Sequence, residues 1–141
     1  MTRVADTSAL YALFSEEDAF HPRAVDQVGD VDPIVVPSEI LVETIDLIAY
    51  RFTFEAARQA LAYLLHLPHV SVADRVEVGP VQTVFDEARG SLSLADAFVV
   101  QTCAALGADA LAYDEDLLTE VRRRARPKRR RGSAREGRTG G

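Results

Sequence analysis

One cysteine, Cys103, stands in a chain of 141 residues. That excludes an intramolecular disulfide framework and a Cys-rich zinc site. No apolar run approaches the roughly 20 residues of a membrane span. A signal-peptide pattern is also missing: MTRVADTSAL goes straight into strand-like sequence. These absences give the expectation of a cytoplasmic protein with no membrane partner. There is no Walker A motif, no GxGxxG and no Gly-x-Ser-x-Gly elbow. The three histidines, His21, His66 and His69, offer no Ser-His-Asp arrangement. His66 and His69 flank Leu67-Pro68 at a helix-to-strand turn and read as surface or half-buried. DEDLLTE lacks the glycine and ligand spacing of an EF-hand loop. Cys103 falls mid-helix among Thr102, Ala104 and Ala105, and reads as a small buried residue rather than a nucleophile.

Basic charge is scarce over most of the chain and concentrated at its end. Residues 122–141 hold ten of the 16 Lys and Arg and one acid, Glu136, for a net of +9. Residues 1–121 are left with six basic and 21 acidic side chains, a net of −15. Such a body repels nucleic acid at long range, and a basic tail attracts it. A nucleic-acid role therefore requires either bound divalent metal or the tail to offset the acids. A composition that is 48% hydrophobic and 27% charged fits one soluble globular domain with a real core.

Short apolar strands alternate with helix-periodic segments. Strands are predicted at Thr2–Ala5, Pro33–Val36, Val70–Val72 and Ala110–Tyr113. Helices are predicted from Ala9 to about Glu17, His21–Val28, a stretch capped by Ser38 running to Tyr50, and Phe54–His66 capped by Thr53. Three more follow: after Pro80 to about Arg89, Leu94–Leu106 between Ser93 and Gly107, and Asp116–Arg124. Thr7 or Ser8 is expected to cap the first helix. This alternation predicts a parallel α/β sheet flanked by helices. From Arg126 on, Pro, Gly, Ser and Arg dominate without apolar periodicity, so 1–125 is read as the domain and 126–141 as a basic disordered tail.

Four stretches place acids where a metal site would use them: VADTSAL (Asp6), VPSEILVETIDLI (Glu39, Glu43, Asp46), SLADAFVV (Asp96) and AYDEDLL (Asp114, Glu115, Asp116). Asp6 and Asp114 follow predicted strands, at the edge where open α/β sheets hold ligands. Glu39, Glu43 and Asp46, three and four apart on one helix, share a face. Asp96 sits in a helix's first turn, where the dipole favours an anion. Each also has a plain reading: Asp6 as a strand-end or capping acid, Glu39 or Asp46 as solvated helix residues, Asp96 as a dipole-tuned acid, Asp114–Asp116 as a capped helix start. Carboxylates in apolar surroundings are costly unless neutralised, and hard divalent cations such as Mg²⁺ or Mn²⁺ are the common neutraliser.

Taken together, the stretches resemble the PIN-domain ribonucleases, in particular the toxin component of VapBC-type toxin–antitoxin pairs. The resemblance covers about residues 2–124. The opening Asp-Thr-Ser matches Asp6-Thr7-Ser8. The helix-borne Glu matches Glu43, with Glu39 its main rival. Leu-Ser-x-x-Asp-Ala matches Leu92-Ser93-Leu94-Ala95-Asp96-Ala97, and the closing Asp-x-Asp matches Asp114-Glu115-Asp116. The family often has Thr or Ser where this chain has Ala112, and its pattern does not include the Arg-rich tail. The resemblance implies a three-layer α/β sandwich around a parallel sheet of four to five short strands. It further implies an endoribonuclease using Mg²⁺ or Mn²⁺, with Asp6, Asp96 and Asp114 holding metal and Glu43 and Asp116 completing the site or orienting water. Thr7 or Ser8 would support the first acid. The implied partners are RNA, a cognate antitoxin and a second copy, with Leu47, Ile48, Phe52, Phe54 and Leu61 as a candidate apolar dimer surface or simply core. Two alternatives stay open: a catalytically weak or silent RNA-binding or interaction module, and an RNA-processing nuclease without an antitoxin.

Overall fold

A computed structural model describes residues 1–125. The predicted tail at 126–141 lies outside the described residues. In chain order the elements are β1 (Arg3–Ala5), α1 (Thr7–Phe14), α2 (His21–Gly29), β2 (Ile34–Pro37), α3 (Ser38–Arg51), α4 (Phe54–His66), β3 (Val70–Ala73), α5 (Val78–Ala88), α6 (Leu94–Leu106), β4 (Asp109–Leu111) and α7 (Glu115–Ala125). The four strands form one sheet in the order β3-β2-β1-β4, and every pairing is parallel. Parallel neighbours need crossover connections, which here are the helix pairs α1–α2, α3–α4 and α5–α6. The predicted α/β class and parallel sheet hold, with four strands among the described residues.

The strand order fixes where a ligand can sit. From β1 the chain adds β2 and β3 on one side; β4 then joins the other side of β1. The order therefore reverses between β1 and β4, and a crevice opens beyond their carboxyl ends. Asp6 directly follows β1, and Asp114 follows β4 after Ala112 and Tyr113. The seam is closed by hydrogen bonds: the Asp6 amide donates to the Leu111 carbonyl at 3.0 Å, and the Tyr113 amide donates to Ser8 Oγ at 3.0 Å.

Val4, Ala5, Ile34, Val36 and Leu111 share one core with α6, whose Ala97, Phe98, Val99, Val100, Thr102 and Cys103 are all buried. A helix buried on so many positions reads as a run of apolar residues rather than a stripe. A smaller cluster of Ile48, Ala57 and Ala60 holds the α3–α4 pair together, so Ile48 is core and not free surface. Phe52 and Phe54 remain exposed.

Several boundaries shift for local reasons. Asp6, not Thr7 or Ser8, caps α1, because its carboxylate accepts from the Ser8 amide. Ser38 lies inside α3, and Pro37 at the cap position makes no side-chain bond. Pro80 falls in the first turn of α5, where its missing N–H is no loss, so that helix starts at Val78. Helix α1 stops at Phe14, and β4 ends at Leu111 as the chain bends towards Asp114. Thr53 and Ser93 cap α4 and α6 as expected, and Gly107 closes α6 in the left-handed conformation.

Candidate active site

Asp6 is 3% exposed. Its Oδ2 accepts from the Ser8 hydroxyl at 3.0 Å and the Ser8 amide at 3.4 Å. Its Oδ1 is buried with no hydrogen-bond partner. Burial above all, and then the charge of Asp96, push the Asp6 carboxyl up to about 6, against the downward pull of the Ser8 and Thr7 hydrogen bonds. Ser8 does two jobs, since the oxygen that donates to Asp6 also accepts from the Tyr113 amide across the seam.

Asp96 is the third residue of α6 and completes a capping box: Ser93 Oγ accepts from the Asp96 amide at 3.0 Å, and Asp96 Oδ2 accepts from the Ser93 amide at 3.1 Å. Burial raises its carboxyl too, opposed by the Ser93 bonds, and the charges of Asp114 and Glu43 add to the rise. Asp114 Oδ1 accepts from the Leu117 amide at 3.1 Å, which caps α7. Glu43, on the second turn of α3, accepts from the Thr7 hydroxyl at Oε1, 2.6 Å. Asp96 thus stands in the electrostatic reach of three other acids drawn from α1, α3 and the β4–α7 turn.

A common construction emerges. Each of the four carboxylates anchors one oxygen to the scaffold: Asp6 through Ser8, Asp96 through Ser93, Asp114 through Leu117 and Glu43 through Thr7. Each leaves its other oxygen without a hydrogen bond among the described residues. Three of the anchors are at helix N-termini, where the dipole favours an anion; at Asp6 and Asp96 burial and like charge oppose it. The plain capping reading therefore holds for Asp6, Asp96 and Asp114, and each cap leaves one carboxylate oxygen over.

A hard divalent cation fits this donor set: all-oxygen ligands, mutual repulsion to neutralise, and an orphaned buried oxygen on Asp6. As the side chains stand, no three acidic, His or Cys groups among the described residues converge closely enough to hold an ion. Asp116 is exposed in the first turn of α7, and no hydrogen bond joins it to the other four. Glu39 is half-buried with an unpartnered Oε2, and Asp46 is exposed; neither has a bond towards the β1 end of the sheet, whereas Glu43 accepts from Thr7. Ala112 is buried, and the hydroxyl at this seam comes from Ser8 instead.

Other sequence candidates resolve simply. A ring nitrogen of His21 bonds the Ala12 carbonyl, and one of His69 bonds the Val28 carbonyl, so both are structural. Burial pushes the Cys103 thiol up to about 12. A groove of about 560 Å³ lies elsewhere, among Leu13, Phe14, Val25, Ile48, Phe52 and Tyr63, and contains none of the acids. One feature had no signal in the sequence: Tyr113, immediately before Asp114, stacks on Phe20 beneath the guanidinium of Arg23.

Among the described residues no helix is long and apolar enough to cross a membrane. No curated protein matches the chain by sequence. The structure is similar to that of Mycobacterium tuberculosis VapC20, a toxin that cleaves the sarcin–ricin loop, with a TM-score of 0.71 and 23% identity over 84% of this chain and 94% of that one. That degree of identity speaks to fold. The PIN domain family model matches residues 3–124, which take in all four strands and every acid of the cluster. The chain belongs to the PIN-domain family.

Proposed function

We propose that this protein is a metal-dependent endoribonuclease that hydrolyses RNA phosphodiester bonds, and that it serves as the toxin of a type II toxin–antitoxin pair. The observation that carries the hydrolytic reading is Asp6: a buried carboxylate with one orphaned oxygen, raised by burial and by Asp96, at the switch point of a parallel sheet. Burial and like charge raise the Asp6 and Asp96 carboxyls, and a counter-cation would favour their ionised forms. Asp6, Asp96 and Asp114 would hold Mg²⁺ or Mn²⁺, which when bound lowers the pKa of a water and stabilises charge building on the phosphate. Thr7 fixes Oε1 of Glu43, so that Oε2 is left to orient the attacking water. Asp116, one residue further round the α7 start than Glu115, is the reserve ligand if Asp114 keeps its capping bond. Attack by water leaves no covalent enzyme intermediate.

The toxin assignment rests on the likeness to VapC20 and on the family pattern. It brings two partners: an antitoxin that sets a basic side chain among the four carboxylates, and a second copy packed through α3–α4, where Phe52 and Phe54 are exposed. A silent RNA-binding module is the second reading, favoured by the absence of three converged donors among the described residues. One experiment separates them. Purified protein should cleave RNA with Mg²⁺ or Mn²⁺, stop in EDTA and recover on metal add-back. Asp6→Asn should lose at least 100-fold in rate, consistent with loss of a metal ligand. Wild-type turnover by Asp6→Asn, or cleavage indifferent to EDTA, would sink the assignment.

A further inference from the structure

The acidic body poses a problem that the four carboxylates make worse, because RNA must approach them. Six basic residues serve positions 1–121, and two of them, Arg3 and Arg23, are gathered at one side chain next to the cluster. That side chain is Tyr113, the neighbour of Asp114 and, through its amide and Ser8, of Asp6. The Tyr113 hydroxyl donates to Gln27 Oε1 at 2.6 Å, and Arg3 binds the Gln27 carbonyl at 2.7 Å, so ring and cation are fixed to the same residue of α2. Neither Arg3 nor Arg23 forms an ion pair among the described residues.

Phe20 completes the group. Its ring stacks on Tyr113 with centroids 4.6 Å apart and planes 15° apart, while the Arg23 guanidinium lies 5.3 Å from the Tyr113 centroid. The Phe20 amide donates to Asp18 Oδ1 at 2.9 Å, which holds the turn rigid and occupies that acid. With one face on Tyr113, Phe20 still keeps 42% of its surface in water. A flat, pre-ordered aromatic face beside cations is what single-stranded nucleic acids use, since every base has a π face and every phosphate a charge.

We propose that Phe20, backed by Tyr113 with the Arg23 guanidinium beside that ring, is a nucleobase-stacking platform that seats one unpaired nucleotide beside the four-carboxylate cluster. It rests on the RNA-directed reading above and adds the class of ligand: a single-stranded or looped segment with a base free to stack. The cations give the phosphate backbone a landing point on a surface that otherwise repels it. Phe20 is a positioning residue: it holds a base and touches no reacting atom.

The test uses the full chain in EDTA, so that no cleavage occurs, and a single-stranded oligoribonucleotide carrying 2-aminopurine. Wild type should bind it and quench its fluorescence. Phe20→Ala should bind roughly tenfold more weakly with the quench lost, and Phe20→Trp should keep both. Arg23→Ala should weaken binding and flatten its salt dependence. Phe20→Leu keeps apolar bulk without a π face; wild-type affinity and quench from it would overturn the platform. Cleavage by wild type with Mn²⁺ is scored separately. Cleavage retained with no quench sinks the platform alone. Quench retained with no cleavage under either metal supports the platform and sinks the hydrolytic reading.

Discussion

Ionising Asp6 costs the folded protein free energy, because the carboxylate is buried, half-unpartnered and faces Asp96. Its folded-state value of about 6 lies above the 3.8 of a free carboxyl, so folding takes up a proton between those limits. The associated margin is fully present below about pH 4 and is lost as pH rises through about 6. Two pKa units correspond to about 3 kcal/mol. Asp6→Asn removes that charge and keeps a good cap, while leaving a polar atom without a partner. The expected net gain is about 1–2 kcal/mol at pH 7.5 in EDTA, vanishing near pH 4, by urea denaturation. An equal effect at both pH values would refute the raised pKa. On the proposed metal site the same proton would compete with Mn²⁺, so Mn²⁺ should raise Tm at pH 7.5 and the rise should shrink steeply below pH 6. Cys103 offers a simpler check: with its thiol up at about 12, native protein at pH 8 should resist iodoacetamide and react only on unfolding.

At the scale of elements, α6 couples stability to the site. Ser93 and Asp96 satisfy each other's backbone amides, so the bond that starts the helix also aims the acid. Ser93→Ala should cost about 1 kcal/mol in urea denaturation and weaken Mn²⁺ binding as well. A loss of stability with metal affinity untouched would show that the cap is only a cap. The same chemistry explains what was readable from the residues. Helices α4 and α6 came out at Phe54–His66 and Leu94–Leu106 because Thr53, Ser93 and Gly107 carry strong local signals. Helix α1 was misplaced because an acid already marked as a ligand also did the capping. Family position alone prefers Glu43 to Glu39 in the sequence; the bond from Thr7 to Glu43 is invisible there, because 36 positions separate the two. The Phe20–Tyr113 stack was illegible: Tyr113 and its partner Gln27 lie 86 positions apart, and no periodicity links them.

For the whole molecule the open question is charge. A net of −15 over residues 1–121 must coexist with +9 over residues 122–141. If the basic end recruits RNA, deleting residues 126–141 should lower affinity and flatten the slope of log K against log salt, since fewer counterions are released. An unchanged slope would leave recruitment to the arginines beside Tyr113. Arg124, just inside the described residues, is tied to Glu120 and Glu87, so α7 is pinned to α5 and the deletion spares the fold.

The join between β1 and β4 has a consequence in time. Asp6 is made before Asp114, and three strands and six helices lie between them. The last strand has one place to go, beside the first, and until it docks the Ser8–Tyr113 bond cannot form. A ribosome-bound or prematurely released chain therefore lacks half of its carboxylates' frame. The acids that follow β1 and β4 therefore share one frame only after every strand of this sheet has been made.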